Sequence, residues 1–186
     1  MRATAPALRK DAARNREELL RVATVAVHRD GLTVPMAAIA AEAGVGVGTL
    51  YRHFPDRESL LGELTHRSFE RVLSNAVSGE TRGTSPINGL RQFIDAAIDQ
   101  REQLVLPLHG GPAIVSPATH RVRSQIHETI GRIVDRGKSD GSIRLDVVPL
   151  DIILFGSMLS QPKPRTAHWE AACRRLLDSF LRGLGP

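Results

Sequence analysis

A chain of 186 residues with a net charge of +5 has room for one substantial core, or for a small head fused to a helical body. Aromatic residues make up only 4% of it, and Ala, Leu, Ile and Val supply the apolar content, which favours helix over sheet. The lone cysteine, Cys173, excludes an internal disulfide and a cysteine-based metal site. No apolar run approaches the ~18 residues that span a bilayer, and the first residues lack the core of a signal peptide, so a soluble intracellular protein is expected.

Residues 1–10 read as a flexible basic arm. Arg2, Arg9, Lys10, Arg14 and Arg16 face only Asp11 in the first sixteen residues. Such an arm is either a solvated tail or a strand that follows phosphates and enters a minor groove. A first helix is expected from Asp11 or Asn15 to Arg29, with Leu19, Val22, Ala23 and Ala26 as its apolar stripe, ended by Asp30-Gly31. Between Pro35 and Phe54 the pattern changes to two short helices. Met36, Ile39, Ala40 and Ala43 recur at helical spacing, and Gly44 stops the first helix because glycine takes a left-handed turn without penalty. Val45 fills the corner, and a second helix carries Val47, Leu50, Tyr51 and Phe54 on or beside its inner face. Ala40 is small where the two would cross. This is the outline of a helix-turn-helix, whose second helix enters a DNA major groove, or of an ordinary helical hairpin.

Asp56 is placed to cap a fourth helix, whose apolar positions Leu60, Leu61, Leu64, Phe69, Val72 and Leu73 extend it to about Val77. The polar, Gly-containing stretch 78–85 reads as the internal boundary. Beyond it, Ile87, Leu90, Phe93, Ile94, Ala97, Ile98 and Leu104 predict a helix to about Val105, and 106–117 reads as a loop or broken helix. A further helix is expected over 118–136, with a turn-rich connection at 137–148. The segment Pro149–Ser160 is apolar on nearly every side and is expected to be buried all round. A last helix runs from about Thr166 to Arg182. The apolar excess of these two segments predicts a four-helix bundle with a second chain through Leu150, Phe155, Met158, Trp169, Cys173, Leu176, Leu177 and Phe180.

No catalytic motif is present, and no cofactor is called for. His109, His120 and His127 invite a metal, but His120 and His127 lie two helical turns apart, about 10 Å, too far for one ion, so no metal site is expected. Arg101 falls at helical spacing from Leu90, Ile94 and Ala97, on an apolar stripe. A charge there either lets its stem lie on the core while its head reaches water, or anchors a ligand. Arg123 and His127 are candidates for the same lining.

Positions 43–60 read Ala-Gly-Val-x-x-Gly-Thr-Leu-Tyr-Arg-His-Phe-Pro-x-Arg-Glu-x-Leu, which closely resembles the TetR family of bacterial transcriptional repressors. The resemblance covers roughly residues 15–65. The remainder is similar to the family's variable regulatory domain in size and helical character. The expectation is an all-α protein with a three-helix head, joined by a fourth helix to a C-terminal ligand-binding and dimerisation domain. Its parts are a basic arm at 1–10, a DNA-binding domain at 11–77 with the helix-turn-helix at 35–54, and a regulatory domain at 86–186. The resemblance implies a homodimer that binds double-stranded operator DNA as a cytoplasmic, nucleoid-associated repressor, released when an unknown small-molecule effector enters the body. It also implies that Thr49, Tyr51, His53 and Arg57 contact DNA, largely at phosphates. Where the family often has a capping Thr this chain has Val34, so that contact passes to Thr33. Val47 and Gly48 lead the recognition helix without a side-chain hydrogen-bond donor. Base reading therefore leans on Arg52, which can pair with guanine, and on Val47 against a thymine methyl, with the N-terminal arginines as a further candidate. The alternatives are a ligand-independent or non-sequence-specific basic DNA-binding protein, and an enzyme or ligand carrier on a helical scaffold.

Overall fold

A computed structural model describes residues 5–162 and 168–186, with side chains from residue 13 onward. Among the described residues the chain is all-α: α1 (Ala5–Asp30), α2 (Met36–Glu42), α3 (Val47–His53), α4 (Arg57–Arg82), α5 (Pro86–Asp99), α6 (Pro117–Ser139), α7 (Pro149–Leu159) and α8 (Trp169–Arg182), with short 3-10 turns at Arg101–Gln103 and Pro107–His109. They divide into two units. One, the head, comprises residues up to Thr65 together with Glu102–Ala113; the other, the body, comprises His66–Arg101 and Ile114–Pro186.

The helix begins earlier than expected. Residues 5–10, expected as an arm, are the start of α1, and Arg2 and the side chains of Arg9 and Lys10 lie outside the described residues. Ala, Leu, Arg and Lys are strong helix formers, and Pro6 is harmless in a first turn. In the head, α1, α2 and α3 pack on one another. Their core is Leu19, Val22, Ala23 and Ala26 of α1, Ile39 and Ala40 of α2 and Leu50 of α3, closed by Leu60, Leu61 and Leu64 of α4. Ala40 is fully buried, as expected of a small residue between the two helices. Val105, from the second stretch of this unit, is only 2% exposed and belongs to the same cluster.

His28 of α1 is half-buried, and its Nε2 is enclosed without a hydrogen-bond partner among the described residues. Burial pushes its pKa down, and Glu102 opposes this less strongly. A histidine held neutral contributes stability above its unfolded pKa that is lost as the pH falls, because the unfolded chain takes up a proton that the folded one resists. His28→Leu should therefore flatten the decline in melting temperature between about pH 7 and about pH 5. Calorimetry on the full chain would read it, and an unchanged slope would place the acid sensitivity elsewhere.

In the body, α5 packs against α6, α7 and α8, and α6 against α7. Its core holds Leu90, Phe93, Ile94 and Ile98 of α5 with Ile126, Ile130, Ile133 and Val134 of α6, Ile152 of α7, and Cys173 and Leu177 of α8. Three sequence expectations are corrected here. The stretch 78–82 is helix, because Gly79 and Gly83 serve packing: a Cβ on Gly89 would lie 2.5 Å from the Gly79 carbonyl oxygen, and one on Gly83 2.6 Å from Gly89 Cα. The helix expected to reach Val105 ends at Asp99, and Leu104, Val105 and Leu106 are all buried, which three consecutive positions on one helical face cannot be. Finally, α7 is not buried all round: Leu150 is 48%, Leu154 41% and Met158 63% exposed. The start of α8 expected near Thr166 lies outside the described residues.

Ion pairs fix α8 on α5. Arg174 reaches Asp95 at 2.9 Å and Asp99 at 2.7 Å, and Arg91 reaches Asp178 at 2.5 Å. Exposed pairs of this kind add at most about 1 kcal/mol each, so they set helix register more than stability.

Candidate nucleic-acid interface

The turn between α2 and α3 rests on Gly44, at φ +67°, with its N–H bonded to the Ala41 carbonyl at 3.1 Å. A left-handed residue there turns the chain so that α3 starts after Gly46. One face of α3 is then fixed. Leu50 is fully buried and Phe54 is 2% exposed, and the Arg16 guanidinium stacks 5.2 Å from the Phe54 ring centroid while also pairing with Glu63 at 3.0 Å. Arg16, counted in the basic excess of the first sixteen residues, is thus tied into the head. Burial of one Leu on a seven-residue helix leaves the other face to solvent.

That free face carries Val47 at 42% and Tyr51 at 47% exposure, together with Gly48 and Arg52, while Thr49 and His53 are half-buried at its edges. A Cβ added at Gly46 or Gly48 would meet nothing within 4 Å, so packing does not demand either glycine. The surface is accordingly bare at its leading end and has one planar cation, Arg52, one turn further on. Thr33 is exposed next to the buried Val34.

Arg57 takes a part the sequence did not show. Its Nη1 donates to the Leu32 carbonyl at 3.1 Å and to the Val34 carbonyl, so the half-buried guanidinium holds the α1–α2 connection against the start of α4. Asp56 caps α4 as expected, accepting from the Ser59 N–H at 2.7 Å; hydrogen bonding to the Ser59 side chain, and then to its backbone N–H, holds its carboxyl below the usual range. Arg29 clamps α1 to α2 through Glu42 at 3.0 Å, and also pairs with its neighbour Asp30 at 2.8 Å.

In the body, Arg101 neither lies on α5 nor sends its head to water. It sits just past the helix end with its side chain 5% exposed, donating from Nη1 to the Ile98 carbonyl and from Nη2 to Glu170, both at 2.9 Å. Glu170 lies 69 residues away, so no local pattern could have named it. Arg123 is exposed on α6 and His127 is half-buried, and neither is among the groups that hold Arg101. No cluster of His, Cys, Asp and Glu suited to a metal ion occurs among the described residues.

The residues expected at a second chain also separate. Cys173 at 1% and Leu177 at 0% exposure are spent on the body's own core, so they are withdrawn from an interface. Phe155 and Phe180 are half-buried and stack with ring centroids 3.8 Å apart, and Trp169 is half-buried. Leu150, Met158 and Leu176 are exposed, joined by Leu154, which sequence reasoning left out.

Comparison with known proteins bears on both parts. The family model for bacterial regulatory proteins, tetR family, matches residues 19–64. An HTH-type transcriptional regulator of Staphylococcus aureus is 38% identical over 69 residues, 37% of each chain, so the match spans little more than a third of that relative. A tetR-family protein of Rhodococcus RHA1 superposes with a TM-score of 0.74 at 19% identity, covering 92% of this chain and 97% of that one. A TetR regulatory protein of Mycobacterium vanbaalenii does so with a TM-score of 0.65 at 28% identity, covering 96% and 99%. AibR, crystallised with isovaleryl coenzyme A and operator DNA, gives 0.71 at 16% identity over 92% and 98%. No helix among the described residues is long and apolar enough to cross a membrane.

Proposed function

We propose that this chain, which belongs to the TetR family of bacterial regulatory proteins, is a sequence-specific DNA-binding transcriptional regulator acting as a homodimer on a palindromic operator. The observation that carries the reading is the division of α3 into two faces. Leu50 and Phe54 lock one face in the head's core, and the other offers Val47, Tyr51 and Arg52 to solvent. A helix held this way can enter a major groove without rearranging the head. One such helix reads few base pairs, and two of them about 35 Å apart read a palindrome across successive grooves.

Within this reading Tyr51, Thr49, His53 and Thr33 engage the phosphate backbone and fix register, which carries no sequence information. Arg57 acts chiefly by bracing the chain before α2, given its two carbonyl partners. Arg52 reads guanine, and Val47, beside the side-chain-free Gly48, packs on a thymine methyl. The body binds a small-molecule effector that releases DNA, so the protein is a cytoplasmic repressor. AibR's co-crystallisation with an acyl coenzyme A and operator DNA supports that division of labour, as a property of AibR.

Arg52→Ala should weaken the operator by roughly 1–3 kcal/mol and relax preference at one base pair per half-site. Tyr51→Phe should weaken all sequences about equally. Binding measured at several salt concentrations separates the two. An Arg52→Ala protein with full sequence preference would make Arg52 a phosphate clamp. A wild type without preference would mark a non-specific basic DNA-binding protein, a reading that the donor-free Val47-Gly48 pair favours.

A further inference from the structure

Arg101 is the most buried charge in the body's described part, and its bonding is lopsided. Its side chain is 5% exposed, while that of its partner Glu170 is 56% exposed. A buried cation costs several kcal/mol unless it is paired and fully hydrogen-bonded, so its partners are held closely to account. The guanidinium edge formed by Nε and Nη2 suits a carboxylate, which fills it with two parallel hydrogen bonds. Here Glu170 takes only Nη2, at 2.9 Å, and Nε is buried with no partner among the described residues. The Trp169 indole Nε1, on the residue beside Glu170, is enclosed with no partner among the described residues. Buried donors left without acceptors are rare and need an explanation in each case.

We infer that Arg101 is the oxyanion anchor of an effector site in the body, filled in the free protein by the chain's own Glu170, and that a carboxylate-bearing small molecule binds by displacing it. The exchange is chemically even. One carboxylate replaces another on the same cation, and the incoming one adds the hydrogen bond to Nε that Glu170 does not make. Glu170, already more than half exposed, moves into water at little cost. Arg101 directly precedes Glu102, the first residue of the stretch that supplies Val105 to the head's core. This inference rests on the regulator reading and names the class of its effector.

The test is chemical rescue of Glu170→Gln in the full chain, with acetate as the probe. The variant should melt below the wild type, because the guanidinium loses its counter-charge. Acetate should restore the melting temperature, whereas acetamide and chloride at matched ionic strength should not. Acetate should bind Glu170→Gln at least about tenfold more tightly than the wild type, where the tethered carboxylate competes at millimolar or higher effective concentration. The double variant Arg101→Met/Glu170→Gln should show no acetate-specific effect. Acetate no better than chloride, or equal rescue of the double variant, would overturn the anchor and leave Glu170 a structural partner. Operator binding by the wild type, measured in parallel, separates the failures. Specific binding without rescue sinks only the anchor, and absence of specific binding sinks the regulator reading.

Discussion

Met158→Glu should leave each chain folded and abolish pairing. The side chain is 63% exposed in the single chain, so a carboxylate there costs nothing until a second chain covers it. Leu150, Leu154 and Leu176 are also about half exposed, and the stacked Phe155 and Phe180 lie half-buried beside them on α7 and α8. Four exposed large apolar side chains on two neighbouring helices are what a helix-bundle interface between copies requires. A charge buried there without a partner is strongly destabilising to the pair. Sedimentation should give a dimer for the wild type and a monomer for the variant at micromolar concentration. Operator affinity should fall by about 10²–10⁴, because the two heads no longer bind as one unit. Leu177→Glu is the contrast: at 0% exposure it should unfold the body rather than only split the pair. A monomeric wild type would remove the interface from the account.

The second large effect belongs to the α4–α5 crossing. Gly89→Ala should destabilise the body by about 1–3 kcal/mol or more, since its Cβ would stand 2.5 Å from a carbonyl oxygen that the backbone cannot withdraw. Gly48→Ala, where the added methyl meets nothing, should be neutral or stabilising by up to about 1 kcal/mol through lost unfolded-state freedom. Urea unfolding of both variants gives the comparison. Equal stability of Gly89→Ala and wild type would mean that the helices cross less closely than described.

The head was the more legible part. Its signals are local: Gly44 must turn, Leu50 and Phe54 must face inward, and Asp56 caps the helix that follows. The body's surprises come from contacts between distant residues. Gly79 and Gly83 look like linker residues in a sequence, and only the approach of Gly89 turns them into packing sites. Arg101 was recognisable as a charge in an apolar context, but its partner Glu170 was not. Cys173 and Leu177 share an apolar helix with Leu176, and periodicity alone cannot say which side faces the body's own core and which faces another chain.

The most direct measurement is the affinity of the wild-type protein for a duplex enriched from random DNA, against a scrambled duplex of equal length, at several salt concentrations. The account predicts a palindromic selected site bound at least about 10³-fold more tightly, a ratio that persists as salt weakens both. A ratio near unity at every salt concentration would contradict it.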